Sequence, residues 1–240
     1  MTGTWLKLIS EFLGTMMLIL LGDGVVANVT LDKSGMRGGG PVQITIAWGL
    51  AVLVPAFIFG AGSGAHFNPA VTIALAIMGS TPWSDVIPYI IAQFFGAFVG
   101  ACLVYILYKG QFDATEDPGT KLGVFSTGPS VPNVCLNLLS EIVGTFVLVF
   151  AILGIGNVAG CASGVEKLLV FGIIVSIGMS LGGLTGYAIN PARDFGPRCA
   201  HAVLPIKGKG SSNFAYGWIP IVGPIIGGAI AALLFKVIPW

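Results

Sequence analysis

Charge is what this sequence has least of. Only 9% of its 240 residues are Asp, Glu, Lys or Arg, and the net charge is +1. Soluble domains carry roughly 25% charged residues. A soluble protein of this size could not cover its surface with so few. The near-zero balance also argues against a nucleic-acid partner. Cysteine is sparse: Cys102, Cys135, Cys161 and Cys199 are scattered, and no CxxC pair occurs. They read as small apolar residues, with neither a disulfide framework nor a metal site implied. With two histidines in the whole chain and no nucleophile–base or metal constellation among so few polar residues, an enzyme is the least favoured reading, and no cofactor or metal is expected.

What is abundant is apolar length. Hydrophobic residues make up 55% of the chain, and mean hydropathy is +0.93. A hydrocarbon core of ~30 Å takes ~20 apolar residues as helix. Six stretches qualify, at about 5–29, 42–60, 85–108, 137–158, 167–186 and 216–237. The first is read as a retained span rather than a signal peptide, because no small-residue cleavage site follows a basic start. Polar or Gly/Pro-rich joints separate the spans at 30–40, 79–84, 109–136, 159–166 and 203–214. The longest joint contains QFDATEDPGTKLGVFSTGPSVPN and is expected to be aqueous. The 36 glycines suit close helix packing in a membrane.

Two further apolar pieces, His66–Met78 and Ile189–Ala202, are too short to span. Each follows a Gly-rich run, GAGSGAHF or GGLTGYAI, and carries Asn-Pro-Ala. Interrupted segments in matching places point to a solute site. The matching extends to a repeat: EFLGT at 11–15 with EIVGT at 141–145, GAHFNPAVT at 64–72 with GYAINPARD at 186–194, and QFFGAFVG at 93–100 with PIVGPIIG at 220–227. The chain is read as one domain of two repeats, about 1–110 and 137–240, joined by the loop at about 109–136. Three spans per half is an odd number, so the second half enters from the opposite side and the repeat is inverted.

Asn-Pro-Ala has a physical meaning at the start of a half-length helix. Asn is a strong N-cap. Pro is suited to the first helical position, where its missing N–H is not needed. Ala is small enough for another helix end to touch it. The Asn amide still has N–H groups to donate outward. One such motif is only a helix cap. Two in an inverted repeat put Asn68-Pro69-Ala70 and Asn190-Pro191-Ala192 nose to nose, with both positive helix ends aimed at one spot. Cations and protons meet a repulsive field there, while a neutral solute finds donors. The non-helical runs Gly64-Ala65-His66 and Gly186-Tyr187-Ala188 then expose carbonyls beside a water-filled path, the one place at membrane depth that tolerates them. Glu11 and Glu141 hold equivalent places inside spans, where a carboxylate is expensive. Each is expected to accept hydrogen bonds from the re-entrant loop of its own half; the alternative is snorkelling at the interface. Asp23, near the end of the first span, can simply face water. His66 is read as a structural and pore-wall residue, His201 shows no partner, and Arg198 is expected to pair with an acid or face solvent.

These features together resemble the major intrinsic protein family, the aquaporins and glycerol facilitators. SGAHFNPAVT and TGYAINPARDFGPR carry the likeness, which covers essentially the whole chain. It implies an all-α membrane protein of six tilted helices plus two re-entrant half-helices, assembled as a homotetramer in the lipid bilayer of the cell membrane. Both termini are then cytoplasmic and transport is passive. The positive-inside rule argues the other way: Lys7, Lys167 and Lys236 flank the terminal side, against Lys33, Arg37, Lys109, Lys121, Arg198, Lys207 and Lys209 opposite. The family orientation is preferred, because several of these cations sit with acids in a long loop. The resemblance places a selectivity filter at Trp48, Gly178, Tyr187 and Arg193, with Val71 as the first-half counterpart of Arg193. Gly in place of a His at 178 is expected to widen the opening. Trp48 and Tyr187 would form an apolar corner with Arg193 opposite. Asp194 and the Pro220-Ile221 pair agree with the glycerol branch, and Tyr187 departs from its usual Phe. The implied function is a passive channel for glycerol and small neutral solutes that also conducts water and excludes ions and protons. The alternatives are a water-dominated channel and, from another class, an ion-coupled transporter.

Overall fold

The computed structural model describes residues 3–161 and 164–240; residues 162–163, in the joint expected at 159–166, lie outside them. Among the described residues there is no strand. The helices run α1 (Thr4–Thr30), α2 (Gly40–Ser63), α3 (Pro69–Met78), α4 (Trp83–Leu107), α5 (Lys109–Ala114), α6 (Pro118–Phe125), α7 (Val134–Ile155), α8 (Val165–Thr185), α9 (Pro191–Val203), α10 (Phe214–Gly217) and α11 (Ile219–Val237). Six are long and apolar enough to cross a membrane: α1, α2, α4, α7, α8, and α10 with α11 taken together. Each falls where a span was expected, shifted by a few residues at its ends. The half-helices start later than the apolar runs did, at Pro69 and Pro191, because Asn68 and Asn190 adopt extended backbone (φ −156° and −159°) and cap them.

Two long-helix pairs form the frame, α1 with α4 and α7 with α11. Both use glycine at i and i+4 to bring backbones together. A Cβ on Gly96 or Gly100 would sit 2.2 or 2.5 Å from the carbonyl oxygen of Phe12 or Met16 on α1. A Cβ on Gly227 would sit 2.2 Å from the Ile142 carbonyl oxygen on α7, and one on Gly223 would sit 2.7 Å from Glu141 Cβ. Contacts this close require the small residue. The glycines of the EFLGT and EIVGT strings do similar work for the re-entrant loops: Gly14 faces the Phe67 ring and Gly144 faces Ile189.

The connection at 109–136 departs from the aqueous loop expected of it. It folds into α5 and α6, and Phe112, Lys121, Val124 and Phe125 are buried. The physical reason lies in the half-helix beneath. The α6 helix packs on α9 and α1, and Phe125 meets the His201 ring at 5.5 Å between centroids. Asp117 starts α6 by accepting from Thr120 N–H and Oγ1–H, both at 2.7 Å. Those bonds hold its carboxyl below the usual range, with the side-chain bond the larger cause.

Candidate functional site

The two re-entrant loops hold backbone that ordinary residues avoid. In the first, Gly64, Ala65 and Phe67 have φ of 88°, 57° and 49°; in the second, Gly186, Tyr187 and Ile189 have 82°, 37° and 43°. A β-branched residue at positive φ, as at Ile189, is an outlier. Such strain persists only where surroundings over-determine it, and a buried carboxylate does so in each half. Glu11 accepts from His66 N–H (3.0 Å), Phe67 N–H (2.8 Å), Ser63 Oγ–H (2.6 Å) and Gln93 Nε2–H (2.7 Å). Glu141 accepts from Ala188 N–H (3.0 Å), Ile189 N–H (2.8 Å) and Thr185 Oγ1–H (2.7 Å). Both side chains are fully buried, which is incompatible with snorkelling.

The loops are also tied to each other. Asn68 Nδ2 donates to the Ile189 carbonyl at 2.8 Å, and Asn190 Nδ2 donates to the Phe67 carbonyl at 2.9 Å. The Asn68 oxygen accepts from Ala70 N–H, and the Asn190 oxygen accepts from Ala192 and Arg193 N–H. Each amide therefore uses one N–H across the midline and its oxygen on its own helix. One N–H of each remains for a solute. Pro69, Ala70, Pro191 and Ala192 are buried at this junction.

Three cavities follow one another past the junction. The first, of about 200 Å³, opens on the face that bears both termini and is lined by Gly64, Ala65, His66, Val71 and Lys167 among others. The second, of about 50 Å³, lies at the centre. The third, of about 730 Å³, opens on the opposite face beside Gly123–Gly128. Asn68 and Asn190 line both of the first two cavities, and Trp48, Tyr187 and Arg193 line both of the last two. The residues thus trace a continuous path. Leu18, Val52, Leu148 and Ile174 line it from the centre to the terminal face. This apolar wall was not anticipated from the sequence; each of the four looks like any lipid-facing or core residue until the helices are placed.

Trp48, Gly178, Tyr187 and Arg193 come together where the central cavity widens. Arg193 does not stand opposite an aromatic corner, as the sequence suggested. Its guanidinium carbon lies 3.9 Å from the centroid of the Trp48 ring, over the ring face, where a cation is attracted. Its Nη1 donates to Asp23 and to the Phe125 carbonyl, both at 3.4 Å. Nε and Nη2 have no partner among the described residues. A Cβ on Gly178 would lie 2.9 Å from Tyr187 Cζ and 2.8 Å from Thr45 Cγ2, and one on Gly182 would lie 2.8 Å from Tyr187 Cδ1. The space left at Gly178 is thus taken up largely by the Tyr187 ring. The Tyr187 hydroxyl has no partner among the described residues.

Asp23 corrects another expectation: it is completely buried behind Arg193 and does not face water. Arg198 is likewise fully buried. It donates from Nε and Nη2 to Asp194 at 2.8 and 3.1 Å, and from Nη2 to the Thr127 carbonyl. Asp194 in turn accepts from Thr127 N–H and Oγ1–H. This network fastens the segment after α6 to α9. His201 does have partners, Ser212 Oγ at 2.8 Å and the Phe125 ring.

Residues 2–235 match the family described as Major intrinsic protein. The chain belongs to that family. Like other members it is a multi-pass membrane channel and not an enzyme. It is 57% identical over 228 residues to a probable glycerol uptake facilitator protein of Thermotoga maritima, covering 95% of this chain and 97% of that protein. It is 52% identical over 236 residues to the glycerol uptake facilitator protein of Bacillus subtilis, covering 98% and 84%. Among solved structures, the aquaglyceroporin from Plasmodium falciparum superposes with a TM-score of 0.87 at 30% identity, covering 98% of this chain and 97% of that one.

Proposed function

We propose that this family member is a passive channel for glycerol and similar small neutral solutes, that it also conducts water, and that it excludes ions and protons. The observation that carries the reading is the two-faced path. Leu18, Val52, Leu148 and Ile174 offer carbon to one side of a solute, while Asn68, Asn190 and Arg193 offer N–H donors. A polyol has the same two faces. The glycerol named in the relatives' descriptions agrees.

In this reading Trp48, Gly178, Tyr187 and Arg193 are the selectivity filter, and the paired Asn-Pro-Ala segments are the central station. The carbonyls of 64–66 and 186–188 are the acceptor ladder, and Glu11 and Glu141 support the loops. Charge exclusion has two sources. The N-termini of α3 and α9 each present roughly half a positive charge, and Arg193 adds a full one in a narrow passage. The protein is an inverted repeat and a homotetramer in the cell membrane with both termini cytoplasmic. The cation count on the other face weighs less against that orientation than its number suggests. Arg198 and Lys121 are buried, Lys209 caps carbonyls of α9, and Arg37 and Lys109 pair with Asp32 and Asp113.

One observation favours the water-dominated alternative: the Tyr187 ring takes up much of the space that Gly178 leaves. Stopped-flow light scattering on proteoliposomes separates the two. Glycerol flux well above that of empty liposomes is expected. Glycerol flux equal to the empty control, with fast water flux, refutes the polyol reading.

A further inference from the structure

Helix α1 contributes no residue to the filter as described, yet it builds the wall behind it. Gly22 seats Trp48: a Cβ there would fall 2.2 Å from the indole ring. The next residue, Asp23, has no exposed surface, so no passing solute reaches it. Its Oδ1 lies 3.4 Å from Arg193 Nη1, and its Oδ2 has no partner among the described residues. The other acid near this point, Asp194, is engaged by Arg198 and Thr127. Asp23 is therefore the carboxylate that faces the Arg193 charge. Among the described residues, α2 sets the Trp48 ring against the guanidinium and the end of α6 sets the neutral Phe125 carbonyl against it.

Resting on the channel reading above, we propose that Asp23 is a positioning residue for the filter: paired to Arg193 from behind, it keeps the guanidinium against Trp48 and so sets how well glycerol passes relative to water. The reasoning is geometric. An arginine held at Nη1 and stacked on a ring has a fixed place, and its Nε and Nη2 donors stay available to a solute. A buried cation that loses its counter-charge seeks water. The water is in the lumen, so the guanidinium tips inward. That narrows the passage for the wider solute first.

The test is the ratio of glycerol to water flux in proteoliposomes of the full chain, with the parent protein measured alongside. Asp23→Asn keeps the shape and removes the charge. The ratio is expected to fall roughly fivefold, equivalent to about 1 kcal/mol in the glycerol barrier, with water flux largely retained. Asp85→Asn, a carboxylate paired with Lys7 at the terminal face, leaves the ratio unchanged. On an Arg193→Ala background, Asp23→Asn produces no further change, because Asp23 acts through Arg193. If Asp23→Asn fails to assemble, Asp23→Glu replaces it: the added methylene pushes the guanidinium and moves the ratio. A ratio equal to that of the parent, whether both fluxes persist or both fall together, overturns the proposal, as does an undiminished effect on the Arg193→Ala background. A parent protein that passes no glycerol overturns instead the polyol reading.

Discussion

Glu141→Gln tests the logic of the strained loops most directly. Glu141 uses both oxygens: Oε1 accepts from Thr185 and Ala188, and Oε2 accepts from Ile189. A glutamine keeps one oxygen and turns the other into a donor. In either orientation an NH2 group then confronts a backbone N–H in a site with no exposed surface. A hydrogen bond to a charged group is worth about 1.5–3 kcal/mol, and a buried N–H left without an acceptor costs about 1–3 kcal/mol. Positive-φ residues Tyr187 and Ile189 also lose what holds them, and each such residue stores about 1–3 kcal/mol. The substitution should therefore destabilise the protein by roughly 4 kcal/mol, taken as the mid-range of the two hydrogen-bond effects. At about 2–4 °C per kcal/mol for a chain of this size, the melting temperature in detergent falls by about 10 °C. Because Ile189 accepts from Asn68 through its carbonyl, the disturbance reaches the midline, and glycerol and water flux fall together. The measurements are intrinsic-fluorescence melting and proteoliposome flux on one preparation. A variant that melts with its parent and conducts fully would show that the carboxylate does not hold the loop.

Gly178→His places a Cβ within 3 Å of both Thr45 and Tyr187, so the imidazole must enter the lumen or displace the Tyr187 ring; glycerol flux falls far more than water flux in stopped-flow assays, and an equal loss of both counts against the filter assignment. Tyr187→Phe removes a buried hydroxyl with no partner among the described residues, so the melting temperature does not fall, and because that oxygen has almost no accessible surface the polyols pass as in the parent, read by swelling assays across a polyol series. Gly227→Ala sets a Cβ against the Ile142 carbonyl and costs about 1–3 kcal/mol of overpacking, seen as a lower melting temperature. Gly154→Ala on α7, with nothing within 4 Å of its Cβ, raises the melting temperature slightly, because a glycine within a helix costs roughly 0.5–1 kcal/mol relative to alanine.

Much of the fold was legible because the bilayer imposes simple arithmetic. Spans such as Gly40–Ser63 need only length and hydropathy, and the half-helices need only an N-cap followed by proline. The Glu11 and Glu141 pairs of strings were legible because a membrane carboxylate is rare enough to require an explanation. What escaped was set by tertiary placement. Leu18 and Ile174 face the path while identical residues nearby face lipid, and no periodicity distinguishes them. Asp23 at a helix end is equally suited to water, and only the position of Arg193 gives it a role. The charged string at 111–133 looked like solvent-facing loop because its polar residues outnumber the two phenylalanines that anchor it, Phe112 and Phe125.

The two ends of each half-helix are treated differently. Helix dipoles have two ends, and an exposed negative end on α3 or α9 would draw cations to the mouths. Each C-terminus instead carries a lysine ammonium. Lys236 donates to the Ile77 carbonyl at 2.7 Å, and Lys209 donates to the carbonyls of His201, Ala202 and Leu204 at 2.6–2.8 Å. These satisfy acceptors that a helix end leaves open and offset the partial negative charge there. The N-termini meet at Asn68 and Asn190, with Arg193 on one side and Val71 at the equivalent place on the other; the acids beside them are engaged, Glu11 and Glu141 by the loop N–H groups and Asp194, in the first turn of α9, by Arg198 and Thr127. Asp23 is the acid that pairs with Arg193. Arg193, held by Asp23 on one side and the Trp48 ring on the other, thus stands beside the two helix starts rather than at either mouth.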